Sequence, residues 1–424
     1  MMTARLWTFV LLLAAASSPA SAQAPDQDQA PVPVRAALLD GEREKKATET
    51  TPPQRGTIER ALSVYDKGGG GVPFLFQPWH GFHYAGGSFP AGAGLKFGVG
   101  FTHDLGRVRP ASDPERPNRV EVDTLAAYST MGYYRGAAGL NIYHLGGAPF
   151  GLRVRAQHYE YPQEDFFGFG QDSLEDNRTS YLLRSTEGSA ALQWKPVRLI
   201  DVGGGVSYLR PEIGSGKDDR FPSAEELFNP ALLPGFSQQP NFLRSDASVA
   251  FDWRDNPSHP HAGGRYGVEY SDYRDQDLDA YDFRKVSVDL QQYVPIPDRY
   301  RTVALQAVAV FTDPRSGQEV PFYYQPTLGG ARALRGFREF RFQDRNSVLV
   351  SAEYRWEGWW ALDGALFVDA GQVARERRDF KLRDFDVSYG IGFRIHSNSA
   401  FVARLDLAFS REGFIPLLRF EHAF

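Results

Sequence analysis

The feature that most constrains this chain is a strict alternation of apolar and polar side chains over segments of about ten residues. In residues 401–410 (FVARLDLAFS), Leu405 and Phe409 lie on one face, whereas Arg404 and Asp406 lie on the other. A period of two places successive side chains on opposite faces of a β-strand and does not suit a helix. The alternation therefore predicts an all-β fold made of amphipathic strands.

The predicted strands are longer than those of most soluble sheets. They run for about 10–12 residues, the length that a tilted strand needs to cross a bilayer, whereas soluble strands usually have about 5–6. A mean hydropathy of −0.40 is compatible with a barrel, because lipid-facing and lumen-facing residues alternate and keep the average low. A soluble β-sandwich is the alternative, but the strand length and the charged polar faces favour a transmembrane barrel.

Sixteen such strands can be placed between about residues 74 and 424. A closed bacterial barrel requires an even number, and closure removes the edges that lipid cannot satisfy. The connections at 162–179, 211–241 and 313–345 are long, and most of the others are short. Because long loops face outward and short turns face the periplasm, we predict a 16-stranded antiparallel transmembrane β-barrel over residues 72–424.

The N-terminal segment predicts export. Arg5 is followed by an apolar run of about 11 residues, too short for a membrane-spanning helix, and by a small-x-small motif ending at Ala22. We interpret residues 1–22 as a signal peptide. Residues 23–71 are rich in alanine, proline and charge, which predicts a flexible periplasmic tail with a short helix at 57–67.

Composition and spacing exclude several kinds of site. The chain has no cysteine, which excludes disulfides and thiol chemistry, and a net charge of −5 gives no argument for nucleic acid. The pairs His80/His83 and His259/His261 have no nearby third ligand of clear spacing, so we predict no metal. No Ser/His/Asp constellation stands out, and we predict neither an enzyme nor a cofactor.

The chain ends in an amphipathic strand that closes with an aromatic residue. Leu418, Phe420 and Phe424 share one face, whereas Arg419 and Glu421 point the other way. Such a strand resembles the recognition signal that outer-membrane proteins offer to their assembly machinery, although a soluble domain can also end in phenylalanine. We expect this last strand to pair with the first, near residues 74–88.

Two segments resemble motifs of the bacterial surface antigen superfamily of outer-membrane barrels, the BamA- and TamA-like proteins. The first, similar to the (V/I)RG(F/Y) motif of the sixth extracellular loop, comprises Leu334, Arg335, Gly336 and Phe337. The second, similar to FxDxG on a strand, comprises Phe367, Asp369 and Gly371. The alternation alone already assigns Phe367 and Asp369 to the lumen face. The resemblance implies that the sixth extracellular loop folds inward.

The chemistry of the two motifs is complementary. Arginine presents a planar fork of donors, and a carboxylate accepts two of them. We therefore expect Arg335 to contact Asp369, with Gly336 allowing close backbone approach and Phe337 packing on the wall. The loop would be either a plug that stabilises or gates the barrel, or a purely structural brace.

A third element resembles one that the family carries at a strand end and periplasmic turn. It comprises Asp252, Arg254, Asp255, Pro257, Pro260 and Gly264. Members of the family that insert or secrete proteins carry POTRA modules ahead of the barrel, and residues 23–71 are too few for one. The resemblance is therefore to a barrel-only member.

These features together give the functional expectation. The resemblance implies a role in outer-membrane biogenesis or translocation in the bacterial cell outer membrane. The expected contacts are outer-membrane lipid, the assembly machinery during insertion and a periplasmic partner protein, without nucleic acid. The alternatives are a porin-like passive or gated channel and a structural surface antigen without transport.

Overall fold

The computed structural model describes residues 80–85, 89, 92–108, 118–145, 149–257, 259–296, 301–359, 362–396 and 401–419. All of them belong to one unit, Gly56–Phe424. The predicted signal peptide at 1–22, the tail at 23–71 with its short helix, and the terminal residues Phe420 and Phe424 lie outside the described residues.

Sixteen antiparallel strands of the described residues form one sheet in chain order. They are β1 (Phe82–Tyr84), β2 (Lys96–Val108), β3 (Asn118–Ser129), β4 (Tyr134–Tyr143), β5 (Phe150–Phe166), β6 (Thr179–Val197), β7 (Ile200–Ser215), β8 (Phe242–Asp252), β9 (Gly263–Asp275), β10 (Phe283–Pro295), β11 (Arg301–Pro314), β14 (Asn346–Trp359), β15 (Leu362–Ala374), β16 (Asp386–His396), β17 (Phe401–Ser410) and β18 (Gly413–Arg419). A separate ribbon pairs β12 (Thr327–Leu328) with β13 (Phe342–Gln343). The all-β, 16-stranded antiparallel prediction is confirmed.

Helical structure in the described residues is confined to short turns within loops. These are one α-helical turn, Ala224–Leu227, and 3-10 turns at Glu175–Asn177, Pro230–Leu232, Phe322–Tyr324, Arg377–Asp379 and Leu382–Asp384. None of the helices in the described ranges has the length and apolar character needed to cross a membrane.

The two faces of the sheet reverse the burial pattern of a soluble sandwich. In β15 the apolar Leu366 and Val368 are 51% and 44% exposed, whereas the alternating Phe367 and Asp369 are buried. A sandwich would bury the apolar face of each strand between two sheets. An exposed apolar face around a buried polar one is the arrangement that lipid outside and a polar lumen inside require.

Contacts between distant strands indicate that the sheet curls around an interior. Gln171, in the loop after β5, accepts a hydrogen bond from the Val373 amide of β15 at 2.8 Å and donates one to Asp386 of β16. Since β5 and β15 are far apart in the strand order, the faces between them must surround a common space. Among the described residues β1 pairs with β2 and β18 with β17. The expected pairing of the last strand with residues 74–88 is not found between β18 and the described part of that segment, residues 80–85. Residues 74–79 and 86–88 lie outside the described ranges.

Two strands are longer than the sequence predicts. The predicted connections at 162–179 and 211–241 place the ends of the fifth and seventh strands at residues 161 and 210, before Pro162 and Pro211, but β5 continues to Phe166 and β7 to Ser215. Pro162 lies at a register shift in the β5–β6 ladder, and Pro211 lies beyond the last β7 residue that pairs with β8. Proline is tolerated at bulges and unpaired edges because no ladder N–H is needed there.

The extended strands support a core formed by the long loops. Phe322, from the loop after β11, is fully buried in a cluster with Phe166 of β5, Tyr181 of β6 and Leu233 from the loop after β7. Its ring lies 4.9 Å from that of Tyr181 and 5.5 Å from that of Phe166. We call this cluster the loop core. Because Phe169 from the loop after β5 also packs against it, the cluster joins three loops.

Candidate functional site

The connection between β11 and β14, residues 315–345, folds back into the space enclosed by the sheet, and we call it the lumen loop. The β12–β13 ribbon closes its base, so residues 329–341 form a compact tip. Gly329 has φ +117°, and a Cβ there would lie 2.0 Å from the Arg338 carbonyl oxygen. Only glycine fits this turn, because other side chains meet both the backbone clash and the unfavourable φ.

Arg335, at the tip of the lumen loop, is bound to Asp369 by a two-point interaction. Its Nε and Nη2 donate to the two carboxylate oxygens of Asp369, each at 2.7 Å, and its backbone N–H donates to Oδ2 at 3.2 Å. Nη1 donates to Glu353 of β14. The guanidinium also lies over the Phe367 ring, 3.6 Å from its centroid. The structure thus brings together the two motifs that the sequence pairs.

The site is almost fully excluded from solvent. The side chains of Arg335, Asp369 and Glu353 are 2%, 0% and 0% exposed. Burial lowers the pKa of Arg335, but the carboxylates of Asp369 and Glu353 raise it by more. The pKa of Arg335 is therefore above its ordinary range. The guanidinium therefore stays charged, and each partner compensates the desolvation of the other.

The charges continue into neighbouring strands and include residues that the sequence did not single out. Glu353 also binds Arg355 at 2.7 Å and Arg394 of β16 at 3.1 Å, and Arg394 binds Asp406 of β17 at 2.6 Å. Arg404 of β17 donates to the Ala331 carbonyl of the loop at 2.9 Å. These residues could have been found from the sequence by a different signal, namely charged residues near the centre of the polar face of consecutive strands. The motifs alone do not reveal them.

Gly336 brings the loop backbone against the wall. Its φ is +88°, and a Cβ there would lie 3.1 Å from both the Phe409 carbonyl oxygen and the Ser388 Cβ. The Ser410 hydroxyl donates to the Gly336 carbonyl at 2.6 Å. The glycine allows an approach that a larger residue would prevent.

Apolar contacts complete the anchor. Leu334 and Phe337 are fully buried, and they pack in a cluster with Leu328, Phe342, Leu349 and Val373. The Phe337 and Phe342 rings lie 5.2 Å apart. At Gly371 a Cβ would lie 2.9 Å from the Leu328 Cδ1, so this strand glycine makes room for the loop. Phe337 therefore packs within the loop's own cluster as well as against the wall.

The DxRD element at the β8–β9 turn lies in a local turn and is not part of the Arg335 cluster. Arg254 binds Asp252 through Nε and Nη2 at 2.9 and 2.7 Å. Asp255 accepts from the Asn256 and His261 amides at 2.8 and 3.0 Å. The remaining predicted residues of this element are Pro257, which is exposed, and Pro260 and Gly264, which are buried.

Gly264 fits tightly, since a Cβ would lie 2.7 Å from the Gln291 carbonyl oxygen. The turn is therefore closely packed and internally hydrogen-bonded. Leu418, the described member of the predicted terminal signal, is 60% exposed on β18.

The β8–β9 turn also brings together groups that can hold a metal. Ligand atoms of His259, His261 and Glu357 all lie within 4.8 Å of one another. Spacing along the chain does not reveal this third ligand, because Glu357 is at the far end of β14 and is close to the two histidines only in the folded chain.

Part of the interior is not filled by the lumen loop. A cavity of about 520 Å³ lies against β6–β11. Four carboxylates and one arginine are among its lining residues: Asp201, Asp246, Glu269, Asp289 and Arg265. The interior is therefore filled by the loop on the β14–β17 side and open and acidic on the other.

Comparison with known proteins agrees with this architecture. The family model described as the Omp85 superfamily domain matches residues 151–413. BamA from Haemophilus ducreyi lacking POTRA domains 1–3 is similar with a TM-score of 0.56 and 13% identity, over 80% of this chain and 69% of that one. CdiB from Escherichia coli has a TM-score of 0.49 and 12% identity, over 79% and 59% of the two chains, respectively. CdiB from Acinetobacter baumannii has a TM-score of 0.43 and 12% identity, over 77% and 55%.

Proposed function

We propose that this chain, which belongs to the Omp85 superfamily, is a bacterial outer-membrane barrel in which an anchored loop closes part of the lumen and which acts in outer-membrane biogenesis or translocation. The resemblance to BamA-like barrels stated from the motifs agrees with this membership. One observation carries the proposal: Arg335 is buried between Asp369 and Glu353 at the tip of the lumen loop. Barrels of this superfamily are typically non-enzymatic transport and insertion proteins.

The anchor supports a plug that has two states. Docked, the loop tip pairs its guanidinium with two buried carboxylates and buries Leu334 and Phe337. Undocked, those carboxylates would face the lumen water, where they are well solvated. A bound client or partner that competes for the docked contacts would shift the loop between these states.

A second candidate, a gated channel, is favoured by the open acidic cavity. Carboxylates that line a confined path raise the local concentration of cations. With Asp201, Asp246, Glu269 and Asp289 on its wall, such a channel would prefer cations. In this case the position of the lumen loop would determine the fraction of time for which the channel conducts.

Planar-bilayer recording separates a plugged pore from a permanent channel. We expect the intact protein to be largely silent and the deletion of residues 315–343 to give steady, cation-selective current. Arg335→Ala should give intermittent openings, because the loop tip loses its anchor but not its ribbon. A large steady current from the intact protein would favour the porin-like channel, and silence in all three would contradict a plug.

The biogenesis role requires clients or partners, and these are tested separately. The segment 23–66, immobilised as a peptide, should retain a periplasmic protein from an extract if this tail recruits a partner. A scrambled peptide of the same composition is the control. Loss of the chain should lower the amount of folded outer-membrane or secreted proteins, and an unchanged profile would leave the structural surface antigen as the better account.

A further inference from the structure

We propose that the β8–β9 turn binds one divalent transition-metal ion, best fitted by Zn²⁺, through His259, His261 and Glu357. Two imidazoles and a carboxylate form a ligand set that zinc uses, with a remaining position for water or a further oxygen. The turn supplies both histidines, and Glu357 comes from the end of β14. None of the three ligands takes part in the lumen-loop anchor, so the inference does not depend on the proposed function.

The distances fit an ion after small side-chain adjustments. The His261 Nε2 lies 3.1 Å from the Glu357 Oε1, close to the ~3.3 Å between two ligands of a tetrahedral zinc with bonds near 2.0–2.1 Å. The His259 and His261 rings meet edge to face, with centroids 4.5 Å apart. All three ligand atoms lie within 4.8 Å of one another. Rotation of side chains that are about one-third exposed closes the remaining gap.

A buried carboxylate on the next strand lies beside His259. Asp363, at the start of β15, has a side chain that is 5% exposed, and its Oδ2 lies 3.6 Å from the His259 Nε2. Metal-bound histidines commonly rely on such a carboxylate, which fixes the ring orientation. Asp363 is therefore assigned as the positioning residue of this site: with the ion on the His259 Nδ1, its carboxylate would hold the Nε2 side of the ring.

The surroundings can hold a cation despite nearby arginines. A small cavity of about 20 Å³ is lined by His259, His261, Glu357 and Asp363, and also by Arg355 and Arg394. The two guanidinium groups bind Glu353 and Asp406, at 2.7 and 2.6 Å, and neither of these carboxylates is one of the three proposed ligands. The space suits one ion or water.

An ion here would tie elements that are distant in the sheet. The turn belongs to β8 and β9, whereas Glu357 and Asp363 belong to β14 and β15, which lie beyond β10 and β11 in the strand order. The short-turn end of the barrel faces the periplasm. The metal would therefore clamp this turn across the periplasmic mouth.

The test is zinc binding by the full chain, purified without a histidine tag, folded in detergent and stripped with a chelator. Calorimetry and metal analysis should give one Zn²⁺ per chain. His261→Ala and Glu357→Gln should weaken binding at least about tenfold, and Asp363→Asn by about 10–100-fold, as for other supporting carboxylates. Co²⁺ should give the visible absorption of a site with imidazole ligands, and His261→Ala should abolish it.

His103→Ala, at an exposed position on β2, is the matched control and should bind like the unaltered chain. Each variant is checked for heat-modifiable migration, and His261→Gln replaces His261→Ala if the latter does not fold. If the unaltered chain binds no zinc, the three residues form only histidine–carboxylate pairs, and the proposal is overturned. Binding that persists in the His259→Ala/His261→Ala double variant would overturn it equally.

Discussion

At the residue scale, Arg335 illustrates why a buried charge has to be fully paired. Its fork satisfies both oxygens of Asp369 and one of Glu353, and its flat face lies on Phe367. A lysine has a single point charge and cannot reproduce this geometry. The cost of burying the ions is offset only while every partner is present, so the site is sensitive to the loss of one member.

Replacing Arg335 should therefore strongly destabilise the docked loop. Arg335→Ala leaves Asp369 buried without its arginine partner, which costs about 3–5 kcal/mol in comparable pairs, whereas Glu353 keeps Arg355 and Arg394. We expect lower heat resistance in semi-native electrophoresis and faster proteolysis of the lumen loop. Arg335→Lys should recover only part of the loss.

Arg338→Ala is the control for this prediction. Arg338 is in the same loop, but its ion pair with Glu175 is about half exposed, and exposed pairs contribute little. If both alanine variants behaved alike, the buried pair would not be the anchor.

Gly336 can be tested against a second loop glycine. Gly336 and Gly317 have similar positive φ values, +88° and +79°, but nothing lies within 4 Å of a Cβ at Gly317. Gly317→Ala should destabilise the loop only through the strain of a positive φ at alanine, about 1–2 kcal/mol. Gly336→Ala should cost more, because its Cβ also meets Phe409 and Ser388. Equal protease resistance of the loop in both variants would argue against the close approach.

At the scale of elements, the long loops of this protein are packed by apolar clusters of their own. The lumen loop takes part in two clusters: the loop core around Phe322, which it shares with the loops after β5 and β7, and a separate apolar cluster around Phe337 at its tip. Neither cluster uses the lipid-facing side of the strands. The loops can therefore loosen while the strand ladder of the barrel is retained.

Truncating Phe322 should show this independence. Phe322→Ala removes a fully buried ring, a change that costs about 3–5 kcal/mol in a packed core. Hydrogen exchange should accelerate in the loops after β5, β7 and β11, with little change in β14–β17. Leu232→Ala, at a position 72% exposed in the loop after β7, should have no such effect. Uniform acceleration over the whole sheet would contradict separate packing.

At the scale of the molecule, the barrel is defined by which face of the sheet contacts lipid and which contacts water. Val249 is 51% exposed on the apolar face of β8, whereas the adjacent Ser248 lies on the polar face, two residues along the strand from the cavity-lining Asp246. Neighbouring residues of one strand thus face lipid and water.

Arginine at these two positions should have opposite consequences. Val249→Arg places a charge in lipid, with a cost of up to about 2–4 kcal/mol near the mid-plane. Ser248→Arg enters a water-filled space that carries four carboxylates, and should fold normally while lowering cation selectivity. Folded yield and urea midpoint in lipid vesicles measure the difference. Equal loss in both variants would mean that the two faces are not distinguished by lipid.

The sequence by itself determined the strand pattern of this protein. Alternation is a local property, since each side chain's face follows from its position in the strand, so Phe367 and Asp369 could be placed on the lumen side before any fold was known. The motifs similarly placed Arg335 on an inward loop. The expectation failed locally at Pro162 and Pro211, because a proline's effect depends on whether a neighbouring strand needs its N–H.

Only the tertiary structure decided which groups meet across the interior. Glu353, Arg394 and Asp406 are on three different strands, and their place around Arg335 follows from curvature and register. Glu357 reaches His259 and His261 for the same reason. Local pattern determines the face of a side chain, but its partners depend on how far the sheet curls and on how its strands are staggered.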